Sequence, residues 1–85
     1  MTVFEIETRS LGGGVWAVFF ADWREDLSED EPRFKVTIER RKDEYDEGGE
    51  LLWSQVFFVF EAAWNTYLHP AASPQMPLDV LAAVA

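Results

Sequence analysis

The sequence predicts an α+β protein: a three-stranded antiparallel sheet, four-stranded if one ambiguous segment joins it, packed against one long helix and followed by a short C-terminal helix. Three observations carry this prediction. Apolar and polar residues alternate through residues 3–8 and again through 33–41, the period of a half-buried strand. An aromatic and β-branched run over 15–23 lies between them, and an apolar stripe at helical spacing runs from Trp53 to Leu68.

Taken in order, VFEIET at residues 3–8 puts Phe4 and Ile6 on one face and Glu5 and Glu7 on the other. LGGG at 11–14 supplies residues that tolerate positive φ, so the first two strands form a hairpin. The second strand, 15–23, carries Trp16, Val18 and Phe20 on one face and Val15, Ala17, Phe19 and Ala21 on the other. Being apolar on both faces, it is expected at the centre of the sheet. After Pro32, RFKVTIERR points Phe34, Val36 and Ile38 inward and Lys35, Thr37 and Glu39 outward, a third strand. Residues 1–42 thus make the sheet, and 43–49 form an acidic loop.

The spacing of Trp53, Val56, Phe57, Phe60, Trp64, Tyr67 and Leu68 predicts one helix over 50–69. The competing reading makes QVFFVF a fourth strand and leaves only EAAWNTYL helical, because valine and phenylalanine favour strands. Pro70 stops the helix, 70–76 is a linker, and Pro77 opens a short terminal helix over 77–85. Its Leu78, Val80, Leu81 and Val84 are expected to dock on the body or on another chain.

These elements belong to one domain, since a chain of 85 residues buries only roughly 60% of its unfolded surface. With 48% hydrophobic and 15% aromatic residues it has the composition of a folded core rather than of an acidic tail. There is no cysteine, which removes disulfides, thiolate metal sites and cysteine nucleophiles and fits a reducing cytoplasm. The first ten residues do not read as a secretory leader, and the most apolar window is broken by Ser54, Gln55, Glu61 and Asn65. The expectation is an intracellular protein without a membrane segment.

Net charge is −9, and its placement matters more than its size. Residues 22–31 hold six acids and one arginine, 43–50 hold five acids and no base, and the remainder holds five acids and six bases. Solubility alone does not require charge gathered in two connections. The expected binding residues are therefore Asp22, Glu25, Asp26, Glu29, Asp30 and Glu31 in the first run and Asp43, Glu44, Asp46, Glu47 and Glu50 in the second, with Trp23 as an aromatic anchor beside the first. Such a surface repels free nucleic acid and anionic lipid and attracts a basic protein surface.

Chemistry-bearing motifs are absent. Counted from Asp26, the first run places Glu31 and Thr37 where a calcium loop needs glycine and a bidentate glutamate; counted from Asp43, the second places Tyr45 and Ser54 at ligand positions. GGG is followed by no lysine–hydroxyl pair and is a turn rather than a phosphate cradle. His69, the one histidine, precedes Pro70 and reads as a helix cap. Arg40, Arg41 and Lys42 stand among acids and are expected to pair with them. No catalytic residue, metal or cofactor is expected, and the chain reads as a non-enzymatic binding protein.

In its size, lack of cysteine, acidity in runs, aromatic-rich α+β core and absence of catalytic motifs, the whole chain resembles the small acidic anti-CRISPR proteins of bacteriophages, several of which act as DNA mimics. The resemblance is one of kind, with no shared motif, and it assigns no residue a role. It implies a stoichiometric inhibitor, acting in the cytoplasm of a bacterial host, that binds the basic DNA-binding surface of a nucleic-acid-handling defence complex. The chain is expected to be a monomer or homodimer. The second reading is an interaction subunit whose apolar helix and C-terminal tail form a dimer or hetero-complex, the acids serving solubility only.

Overall fold

Three successive glycines with φ of +94°, +62° and +78° turn the chain between its first two strands, a path that side chains with a Cβ rarely follow. The computed structural model describes residues 4–46 and 49–84. Strands β1 (Phe4–Gly12), β2 (Val15–Ala21), β3 (Phe34–Arg40) and β4 (Glu50–Phe57) form one antiparallel sheet in the order β1-β2-β3-β4. Helix α1 (Phe60–Leu68), a single 3₁₀ turn (Pro70–Ala72) and helix α2 (Leu78–Val84) complete the fold.

β2 is central, as its two apolar faces require. Val15, Ala17, Phe19 and Ala21 are buried and join Phe34, Val36 and Ile38 of β3, Phe57 of β4, and Ala63 and Tyr67 of α1 in one core. Phe19 is the hub of an aromatic cluster, with ring centroids 5.4 Å from Trp64, 5.8 Å from Phe60 and 5.9 Å from Tyr67. Edge-to-face rings at these separations add about 0.5–1.5 kcal/mol each beyond the area they bury.

The single helix predicted over 50–69 is corrected. Residues 50–57 pair in register with β3, from Phe34↔Phe57 to Arg40↔Glu50, and only residues 60–68 are helical. The competing reading, a fourth strand followed by a short helix, has the observed order, but the strand is Glu50–Phe57 rather than residues 55–60 and the helix begins at Phe60. Trp53, Gln55 and Phe57 lie opposite Ile38, Val36 and Phe34, so β4 has a strand's period of two.

Two smaller expectations also fail. Phe4 and Ile6 are 54% and 48% exposed rather than inward, because the β1–β2 register shifts between Glu5 and Glu7 and strips β1 of a single buried face. Thr37 and Glu39, expected outward, are buried under the connection that follows β3. The linker 70–76 contains the 3₁₀ turn and ends in a buried Met76. The terminal helix docks as expected through Val80, while Leu78 is exposed.

Candidate functional site

β2 ends where the first acidic run begins, and the first acid there is structural. Asp22 donates its backbone N–H to the Arg33 carbonyl at 2.8 Å, which closes the connection at its base. Its fully buried carboxylate accepts Arg24 Nε–H at 3.0 Å on both oxygens and the Arg24 backbone N–H at 3.1 Å on Oδ1. The Arg24 side chain thereby holds the Asp22 carboxyl below its ordinary value near 3.8, against the opposing pull of burial. The same hydrogen bond to Asp22 raises the Arg24 guanidinium. Arg24 also reaches Glu31 at 3.1 Å, and Arg33 Nη1 donates to the Asp22 carbonyl at 2.9 Å.

Two arginines and one buried aspartate therefore brace this loop, and its other acids face solvent. Glu25, Asp26, Glu29, Asp30 and Glu31 are all exposed, as is Trp23 at 61%. Among the described residues, no ion pair engages Glu25, Glu29 or Asp30. Asp22 thus leaves the group of available acids predicted from the sequence, and Glu31 is partly neutralised by Arg24.

The second run follows β3 at the opposite end of the sheet. Its organiser is Arg41, whose side chain is 3% exposed. Arg41 Nη2 donates to Glu5 Oε1 at 2.7 Å, Nε to Glu39 Oε1 at 2.9 Å, and Nη1 to the Glu44 carbonyl at 3.3 Å. Thr37 Oγ1 donates to the other oxygen of Glu39. Burial works against the Arg41 charge, but the hydrogen bonds it donates to Glu5 and Glu39 outweigh it and raise the group above its ordinary value.

This chain of polar contacts crosses the sheet face that α1 leaves open. It ties residues 43–46 down: Asp43 Oδ1 accepts the Tyr45 N–H at 2.9 Å, and Asp46 Oδ2 accepts the Lys42 N–H at 3.1 Å. Asp43, Glu44 and Glu50 are exposed, Asp46 is half-buried, and Glu47 lies outside the described residues. A side chain at Gly49 would place its Cβ 2.5 Å from the Arg40 carbonyl oxygen and 2.9 Å from Arg41 Cγ, so the chain re-enters β4 where only glycine fits.

The two runs do not meet. They leave from opposite ends of β3, whose seven residues at about 3.3 Å per residue hold them roughly 20 Å apart. Several cations are engaged within the fold, whereas Arg40 and Lys42 are exposed beside the second run. Arg9 donates to the Tyr67 and Leu68 carbonyls at 2.9 and 2.8 Å and lies over the Tyr67 ring. Arg9 thus places a cation at the C-terminus of α1, and His69 is the C-cap residue, as read from the sequence, with its backbone N–H donating to the Asn65 carbonyl at 2.9 Å. Lys35 covers the Phe20 ring at 4.5 Å.

The organising residues Arg9, Arg24 and Arg33 were missed in the sequence, whereas Arg41 pairs with acids as expected. One signal was present: Thr37, Glu39 and Arg41 stand two apart on a strand and therefore share a face. Among the described residues no three or more acids and histidines converge as a metal site, and no helix is long and apolar enough to cross a membrane.

No protein-family model, curated protein or solved structure matches the chain.

Proposed function

We propose that the protein is a stoichiometric, non-enzymatic inhibitor that binds the basic, nucleic-acid-binding surface of a bacterial host's defence complex, in the manner of an anti-CRISPR DNA mimic. The observation that carries this reading is the sorting of charge. Arg9 and Arg41 are engaged inside the fold and Arg24 is paired with Asp22 and Glu31, while Glu25, Asp26, Glu29 and Asp30 stand exposed on a loop braced at its root. A braced loop loses little entropy on docking, so its charges are preorganised for lysine and arginine on a partner. Two acidic clusters about 20 Å apart present such a partner with a line of charge, as a duplex presents its phosphates.

The interaction-subunit reading keeps less of its surface. Ala63, Tyr67 and Val80 of α1 and α2 pack into the chain's own core, which leaves that reading Phe60 and Leu78, 50% and 84% exposed.

Charge reversal tests the proposal. Glu25, Glu29 and Asp30, each exposed and outside the bracing contacts, are changed together to lysine, and retained near-ultraviolet circular dichroism reports that the fold survives. Affinity for the target complex is expected to fall by at least about a hundredfold, whereas reversal of Glu61 and Asp79 on the helices leaves it within about threefold. Equal losses from the two sets would reject the proposed patch.

A further inference from the structure

The two edges of the sheet are unequal. β1 carries Glu5, Glu7 and Arg9 and shifts register at two places, between Glu5 and Glu7 and between Ser10 and Gly12, the features that block further pairing. β4 has no such defence. From residue 51 to residue 60 there is no charge, proline or glycine, and the one register shift lies near its start, between Ile38 and Glu39 of its partner strand. Of the ten large hydrophobic residues exposed among those described, five lie in this one segment: Leu51, Val56, Phe58, Val59 and Phe60.

We infer that β4 is the pairing edge of a homodimer, in which a second copy of this chain adds its own β4 antiparallel across a two-fold axis to make one eight-stranded sheet. Charge selects the occupant. A chain of net charge −9 can approach its own copy only where neither surface carries acids, and this segment meets that condition over ten residues. A basic partner would find no carboxylate there to pair with.

Gln55 selects the register. It lies midway between Trp53 and Phe57 on the core-facing side of β4, and its Oε1 is buried without a hydrogen-bond donor. A two-fold axis at Gln55 sets the two Gln55 side chains opposite each other at a Cβ separation of about 5 Å, within reach of the partner's amide N–H. It also sets Trp53 against Phe57 and Ser54 against Val56, so each face continues unbroken. An unpaired buried acceptor is costly, and the partner copy removes that cost.

The dimer changes how the acids are displayed. Antiparallel joining brings the first acidic run of one copy and the second run of the other to the same end of the sheet. They then stand about three strand spacings, roughly 14 Å, apart. The inference does not depend on the proposed function, because association of the chain with itself is measured without any target.

Sedimentation velocity of the intact protein, from low to high micromolar concentration, tests it. The expected result is conversion to twice the 9.8 kDa chain mass, with Val56→Lys weakening association by at least about tenfold. Hydrogen exchange on the unmodified chain gives the second readout: amides of β4 gain protection as concentration rises, and those of β1 do not. A single-chain mass at every concentration overturns the inference. So does a dimer that Val56→Lys leaves intact and whose β4 amides exchange equally fast at all concentrations.

Discussion

Arg41→Met tests the idea that one buried guanidinium anchors the second acidic run. Methionine keeps much of the apolar stem and removes the charge, leaving Glu39 and Glu5 facing each other without a cation. Breaking a buried ion pair from one side costs about 3–5 kcal/mol, and the lower figure applies here because the Glu5 side chain retains 33% of its exposure. About 3 kcal/mol is a large share of the total, which at about 0.05–0.15 kcal/mol per residue is on the order of 4–13 kcal/mol for 85 residues. For a domain of this size the melting temperature should fall by about 12–24 °C. Urea denaturation followed by tryptophan fluorescence gives the free energy, and hydrogen exchange at residues 43–46 should quicken because the bond to the Glu44 carbonyl is lost. The triple variant Glu5→Gln, Glu39→Gln, Arg41→Met carries no buried charge at the site and keeps an acceptor for Thr37. It should recover at least about 2 kcal/mol of the loss. An Arg41→Met protein within about 0.5 kcal/mol of the parent, or a triple variant no more stable than the single one, would refute the reasoning.

Two further predictions concern pH. The folded-state value of Asp22 lies below its ordinary 3.8, so its contribution is present above pH 3.8 and is lost as pH falls through the lowered value. Denaturation at a series of acidic pH values should show stability falling in that window, and Asp22→Asn should flatten the fall; an unchanged slope would mean that Asp22 is not held by Arg24. Burial, followed by the field of Glu7, raises the Tyr67 phenol from 10.0 to about 12, so its contribution is complete below pH 10 and is lost as pH rises through 12. Ultraviolet titration of Tyr45→Phe should show no phenolate from the remaining tyrosine until near pH 12, and ionisation near pH 10 with the fold intact would contradict the burial of Tyr67.

Much of the sheet was legible because β3 alternates with a period of two that no helix shares and β2 is an aromatic and β-branched run apolar on both faces. The strand–helix boundary at residues 58–59 was not, for a physical reason. A spacing of four satisfies both a strand face and a helix face, so Trp53 and Phe57 on β4, and Phe60 and Trp64 on α1, read as one stripe. Only hydrogen bonding to β3 separates the two, and pairing is a tertiary property. The acidic runs were legible as composition. Which acids are available was not, because Asp22 and Asp22's neighbour in sequence count, Glu25, look alike until Arg24 and Arg33 close the loop around the former. The undefended edge was hidden by the helical reading, since a helix has no open ladder.

The central claim is that the exposed carboxylates take the place of nucleic acid on a basic partner. The most direct measurement immobilises the tagged protein, exposes it to bacterial lysate, and elutes what stays with increasing salt or with duplex DNA before mass spectrometry. The account predicts a nucleic-acid-handling complex that is held at low salt, released as salt rises, and displaced by duplex DNA. A partner retained through high salt and indifferent to duplex DNA would contradict it.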